Sequence, residues 1–175
     1  MKYRKAWVLI LGAVCLLVFG YYCYLTDFWS NSDIRIEEPR EYPVAYVVDG
    51  DTFKAKIGRK TITVRMLGIN TPETVDPRKP AECYGHEASE ETRSLLVGHT
   101  VRLKANPNRE KKDRYGRYLL YVYTGDLFVN KYLVQDGFAR EYTFGKPYSF
   151  QAEFKKAEGE AKVAGMGLWA VCPVI

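Results

Sequence analysis

In RMLGINTPET, residues 65–74, a hydrophobic run opens on a cation, Arg65, and ends in Asn70, Thr71, Pro72 and Glu73. A guanidinium inside an apolar strand is costly unless it is paired, so Arg65 needs an anionic partner. One candidate is a salt bridge to Glu73 or another acid. The other is an anion from outside the chain, a phosphate gripped by two parallel hydrogen bonds. Pro72 fixes the backbone just ahead of Glu73 and limits where that carboxylate points. A carboxylate held beside a bound phosphate is a candidate general base for a water molecule.

A second stretch, DGDTF at residues 49–53, sets two carboxylates around a glycine that tolerates unusual dihedrals. Such a segment ordinarily makes a turn whose aspartates bond nearby amides. If the end of the second strand faces the end of the third, Asp51, Asn70 and the backbone carbonyl of Thr71 converge as hard oxygen ligands. That set suits Ca2+ or Mg2+ rather than zinc. The third stretch, NREKKDRYGR at residues 108–117, holds Arg109, Lys111, Lys112, Arg114 and Arg117 against Glu110 and Asp113. Its first half reads as a solvated loop. Its second half, DRYGR, makes a turn that presents Arg114 and Tyr115 while Arg117 opens the next strand. Interleaved cations and an aromatic ring suit phosphate contact together with base stacking.

Short elements must position these groups. VAYVV from Val44, TFKAKI and TITVRML read as a three-stranded meander rich in β-branched residues, with Gly58-Arg59-Lys60 as its second turn. Glu87–Val97 reads as a helix stopped by Gly98, TVRLKA as a fourth strand, and YLLYVYT as a fifth that turns at Gly125-Asp126 into LFV. Val129–Asp136 is a short helix closed by Gly137. A last helix runs from about Ser149 to Gly165 with Phe150, Phe154, Ala157 and Ala161 on one stripe, and GLW packs back on the body. The predicted fold is α+β: a five-stranded, partly open barrel of the OB type with about three α-helices.

One N-terminal transmembrane helix is expected to precede it. Ala6–Leu25 is 20 residues without a charge, about 30 Å as a helix and so the thickness of a bilayer's hydrocarbon core. Lys2, Arg4 and Lys5 lie before it and Tyr21, Tyr22 and Tyr24 crowd its far end, which keeps the N-terminus cytoplasmic and sends the rest across. The competing reading is a cleaved signal peptide followed by secretion. Its apolar core is usually shorter and ends in small residues, where this chain has aromatic ones. The expected organisation is a stub and anchor over residues 1–25, a polar linker over 26–41 and one folded domain over 42–175. The formal charge is +5, but without the three cations ahead of the anchor 23 Lys+Arg face 21 Asp+Glu. Attraction to a polyanion must therefore be argued locally. Cys83 and Cys172 fall in the exported part, where disulfides persist, and are a natural pair. Two separate buried thiols, or zinc ligands together with His86, are the other readings.

DGDTF, RMLGINTPET, CYGHEAS, DRYGR, LVQDGFA and GLW occur in the order and approximate spacing of the staphylococcal nuclease (thermonuclease) family, which the chain resembles from about Val44 to Trp169. DGDT alone is a weak signature; R-x-L-G-I-x-T-P-E followed by D-x-Y-G-R is a strong one. The resemblance implies an OB-fold phosphodiesterase that uses one Ca2+ ion to cut DNA and RNA with little sequence preference and leaves 3′-phosphate ends. By position, Asp51, Asn70 and the Thr71 carbonyl would hold the metal, and Glu73 would activate or orient water. Arg65 and Arg117 would bind the scissile phosphate, Arg114 and Tyr115 would contact nucleotide, and Tyr142 would be a further binding tyrosine. Turnover should fall steeply in Arg65→Ala and Arg117→Ala proteins that still fold. The chain departs from the family at Asn70, where the usual aspartate supplies a charge; a weaker calcium site or another divalent ion follows from that loss. No protein partner is evident. A non-catalytic nucleic-acid-binding module tethered to the membrane is the alternative function.

Overall fold

A computed structural model of the chain describes residues 14–22, 34, 36–74 and 80–172. Residues 14–22 form a helix, α1, whose Val14, Leu16, Leu17, Val18 and Phe19 side chains are exposed. Met1–Arg35 and Ile36–Ile175 are separate compact units. No helix among the described residues is long and apolar enough to cross a membrane. The greater part of the predicted span Ala6–Leu25, and most of the predicted linker, lie outside the described residues.

The second unit begins with three antiparallel strands, β1 (Glu41–Asp49), β2 (Thr52–Ile57) and β3 (Lys60–Met66). β4 is only Ile69–Asn70, α2 spans Gly85–Leu96, β5 spans Thr100–Ala105 and β6 spans Tyr118–Thr124. β7 (Leu127–Phe128), α3 (Val129–Gln135), β8 (Arg140–Glu141), α4 (Gln151–Ala164) and α5 (Leu168–Val171) complete the chain. β1 pairs with both β2 and β5, β5 pairs with β6, and β6 closes on β3 in parallel through Val64–Tyr118, Arg65–Leu119 and Met66–Leu120. Five strands therefore form a closed, OB-like barrel in a mixed α+β fold. Alternation fills it: Phe53, Ala55, Val64, Met66, Val101, Leu103, Leu120 and Val122 are at most 1% exposed.

The helices sit where their apolar stripes require. α4 buries Phe154, Ala157 and Ala161. Phe150, predicted on the same stripe, instead precedes the helix and is half-buried, its ring edge-on to Tyr121 at 4.8 Å. Asn130, fully buried on α3, ties barrel to helix: its side-chain oxygen accepts from Val122 N–H at 2.8 Å and its Nδ2 donates to Leu67 O at 2.9 Å. β4 and β8 form a separate two-stranded ladder in which Asn70 faces Arg140.

Candidate active site

Register brings the first two chemical stretches together. The β1–β2 hairpin closes with Asp49 opposite Thr52, leaving Gly50 and Asp51 as its loop. Thr52 in turn pairs with Arg65 on β3, so Asp51 comes to rest beside that guanidinium. Asp51 Oδ2 is 2.8 Å from Arg65 Nη1 and also accepts from the Thr71 N–H at 3.1 Å, while Oδ1 accepts from the Thr52 hydroxyl at 2.8 Å. Gly50 is required for space rather than for an unusual φ: a Cβ there would lie 2.8 Å from Thr71 Oγ1.

Arg65 finds an acid partner in Asp51. Its side chain is 12% exposed, and Nη1 also donates to Ile69 O (2.9 Å) and Met66 O (3.2 Å) while Nη2 donates to Asn70 Oδ1 (2.9 Å). The Nε hydrogen and the second hydrogen of Nη2 make none of these bonds. The guanidinium thus contacts two of the three residues assigned to the metal, Asp51 and Asn70.

Glu73 is reached through the same hairpin. Its carboxylate accepts from the Thr74 N–H at 3.1 Å, and Thr74 donates its hydroxyl to Asp49 Oδ1 at 2.7 Å. Asp49 and Glu73 lie within hydrogen-bonding reach of one another. Burial of Asp49 raises its pKa to about 6; the Thr74 hydrogen bond opposes that rise and the adjacent Glu73 adds to it. Two carboxylates crowded into one corner repel each other unless a proton or a cation intervenes.

Arg117 leads into β6 on the neighbouring strand. With Val64 and Met66 turned inward on β3, and Tyr118 and Leu120 inward on β6, Arg65 and Arg117 share the outer face. Arg117 directly precedes Tyr118, the β6 partner of Val64, and so stands two residues before Leu119, the partner of Arg65. The DRYGR turn is built on Asp113: its Oδ1 accepts the N–H groups of Tyr115 (2.9 Å) and Arg117 (3.0 Å), and its Oδ2 accepts Arg117 Nε at 2.7 Å. Tyr115 is 67% exposed, with the guanidinium groups of Arg114 and Arg117 at 4.8 and 5.4 Å from its ring. Tyr142 follows β8, donates its N–H to Gly68 O at 2.9 Å and presents an exposed ring stacked with Phe144 at 6.4 Å.

The donor set fits a hard cation. Asp51, Asn70 and Thr71 offer only oxygens, and the extra carboxylates of Asp49 and Glu73 supply negative charge nearby. Thr71 Oγ1 is buried with no hydrogen-bond partner, a polar atom that an ion's hydration water would satisfy. No group of three or more His, Cys, Asp and Glu side chains suited to a metal occurs among the described residues; the proposed set draws on one such side chain, Asp51, beside an amide and a backbone oxygen. Cys83 and Cys172 are joined in a disulfide, which removes the zinc reading with His86. Sequence reasoning missed Thr74, which links Glu73 to Asp49, and Arg140, which faces Asn70 across β4–β8 with its guanidinium 4.9 Å over Trp169. The TPET and GFAR stretches contained both residues but not the pairing that gives them a role.

Comparison with known proteins supplies the remaining finding. The family described as staphylococcal nuclease homologue matches residues 63–171. The chain is 32% identical over 169 residues to a thermonuclease of Staphylococcus hyicus, spanning 97% of this chain and 98% of that protein. It is 36% identical over 171 residues to a thermonuclease of Staphylococcus intermedius, spanning 97% and 99%. To endonuclease YncB of Bacillus subtilis it is 33% identical over 124 residues, 70% of this chain and 58% of the relative.

Proposed function

The chain belongs to the staphylococcal nuclease family, and from that membership we propose that it is a calcium-dependent endonuclease hydrolysing DNA and RNA with low sequence specificity. What chiefly supports this reading is one hairpin turn that gathers Asp51 with Arg65 and Asp49 with Glu73, next to Arg117 at the entry to β6, the strand that pairs with the strand of Arg65.

Each residue then has a task set by its chemistry. Asp51, Asn70 and the Thr71 carbonyl would hold calcium, which when bound supplies positive charge beside the phosphoryl oxygens. Arg65, through its Nε and Nη2 hydrogens, and Arg117, through its half-exposed guanidinium, grip the phosphate oxygens as charge builds on them. Glu73 accepts the proton of the attacking water or fixes its direction. The P–O5′ bond breaks opposite the incoming water, which leaves a 3′-phosphate. Tyr115, flanked by Arg114, and Tyr142 offer ring faces to the bases and read no sequence, because every base has a π-face. Residues 6–25 would anchor the domain outside the membrane; secretion after cleavage of that segment is the alternative.

A second reading, a membrane-tethered binding module without turnover, is favoured by one observation. Asn70 lacks the charge of an aspartate and its oxygen is engaged by Arg65. Incubating the full chain, in mild detergent, with single-stranded DNA separates the two. Calcium should produce 3′-phosphate-ended fragments and excess chelator should stop cleavage. Binding without cleavage at every calcium concentration would leave only the module.

A further inference from the structure

We infer that Glu82 and the Cys83–Cys172 disulfide position Glu73 for catalysis, a role that rests on the nuclease reading above. Glu73 lies three residues beyond β4, and residues 71–74 form no strand or helix. Glu82 clasps its backbone: Glu82 N–H donates to Glu73 O at 2.9 Å, and Glu73 N–H donates to Glu82 Oε2 at 3.1 Å. Gly85 backs the clasp, since a Cβ there would lie 2.8 Å from Thr74 Cγ2 and 3.3 Å from the carbonyl oxygens of Pro72 and Glu73.

Burial does not hold the clasp. Glu82 and Cys83 are both exposed. The turn that aims Glu82 includes Tyr84 at φ 68°, the one non-glycine residue with positive φ among the described residues. Such a conformation persists only where the surroundings enforce it. Around that turn lie the Gly85 N–H donated to Glu82 O at 2.9 Å, a ring contact from Tyr84 to Phe138 at 5.7 Å and the covalent bond from Cys83 to Cys172, 89 residues away.

The far end of that bond is packed against the body through α5. Cys172 directly follows α5, and α5 is fixed to the body by buried Leu168, whose N–H donates to Gly137 O at 2.9 Å. Gly137 and Gly167 approach so closely that a Cβ on Gly137 would lie 2.2 Å from Met166 O and one on Gly167 would lie 2.4 Å from Gly137 O. A line of force therefore runs from the packed C-terminal helix through the disulfide to Glu82, and from Glu82 into the backbone of Glu73.

Kinetics and amide exchange on the full chain in mild detergent test this. Dithiothreitol, oxidised to its cyclic disulfide, supplies the two electrons and two protons that convert the bond to two thiols; a Cys83→Ser/Cys172→Ser protein is the permanent equivalent. Assayed well below their melting temperatures, both should lose between about tenfold and a hundredfold in kcat, the range expected when a reacting group is displaced by up to about 1 Å, with KM for an oligonucleotide unchanged. Glu82→Ala should do the same, and Glu82→Gln, which keeps the acceptor oxygen, should restore most of kcat. In hydrogen exchange the Glu73 amide should lose protection on reduction while barrel amides such as Leu103 keep theirs. Unchanged kcat in the folded, reduced protein, or unchanged protection of Glu73, overturns the role. An oxidised protein that cuts no nucleic acid refutes the nuclease reading instead, and the exchange data still decide whether the disulfide holds the clasp.

Discussion

With its guanidinium 2.8 Å from Asp51 and 2.9 Å from the amide oxygen of Asn70, Arg65 is bound by the same side chains that a hard cation would use. Its loss and the loss of Arg117 should therefore differ. Arg117→Ala removes a half-exposed cation whose pair with Asp113 contributes about 0–1 kcal/mol to folding, so kcat should fall about 10²–10³-fold with the melting temperature nearly unchanged. Arg65→Ala strands the Asp51 carboxylate, 8% exposed, without its partner and should destabilise the fold by about 3–5 kcal/mol as well as lowering kcat. Paired melts and assays check this, and equal stability losses in the two variants would contradict it. The expectation from sequence alone, that both proteins fold normally, is revised to that extent. The need of Arg65 for an anion was legible in its apolar setting; the identity of the anion was not, because it depends on the Thr52–Arg65 register. Asp49 gives a pH test. Its pKa, raised to about 6, means the folded state holds a proton that the unfolded state releases at about 4, so stability falls as pH rises between those values and the cost is complete above about 6. In chelator, Asp49→Asn should melt like wild type near pH ~4 and gain a growing advantage up to about pH 6. A difference that does not vary with pH contradicts the assignment.

At the scale of elements, the hairpin between β1 and β2 controls the site through one glycine. Gly50→Ala drives a methyl group into buried Thr71 and should cost about 1–3 kcal/mol, while shifting the Thr71 N–H from Asp51 and raising the calcium concentration needed for half-maximal cleavage. A normal melting temperature together with a normal calcium requirement would remove Gly50 from the positioning of the site. The five barrel strands were readable because each carries several β-branched or aromatic residues between clear turns. β4 and β8 were not, since two residues show no periodicity, yet their pairing sets Asn70 against Arg140. The clasp of Glu82 on Glu73 was hidden: Glu73 stood out in the sequence as a candidate base, but Glu82 is an ordinary acid there until its hydrogen bonds to the Glu73 backbone are seen.

For the whole molecule, closure of the barrel by the parallel β3–β6 pairing sets motifs that are distant in sequence beside one another. RMLGINTPET ends at Thr74 and DRYGR begins only at Asp113, with a helix and a strand between them, yet Arg65 lies on β3 and Arg117 directly precedes β6, the strand paired with it. No local pattern announces that closure, because a parallel pairing between strands far apart in sequence leaves no turn signal. Net charge is nearly balanced once the three N-terminal cations are set aside, so attraction to a polyanion rests on the local cations of the 108–117 loop. In the proposed mechanism one hard-cation pocket and two arginines serve a single phosphodiester. A calcium titration of single-stranded DNA cleavage, run side by side on the full chain and on its Asn70→Asp variant, tests it most directly. Saturable, chelator-sensitive cleavage is expected, with half-saturation at roughly tenfold lower calcium in the variant, because the added carboxylate raises the ligand charge. Cleavage indifferent to calcium, or identical titrations for the two proteins, would contradict it.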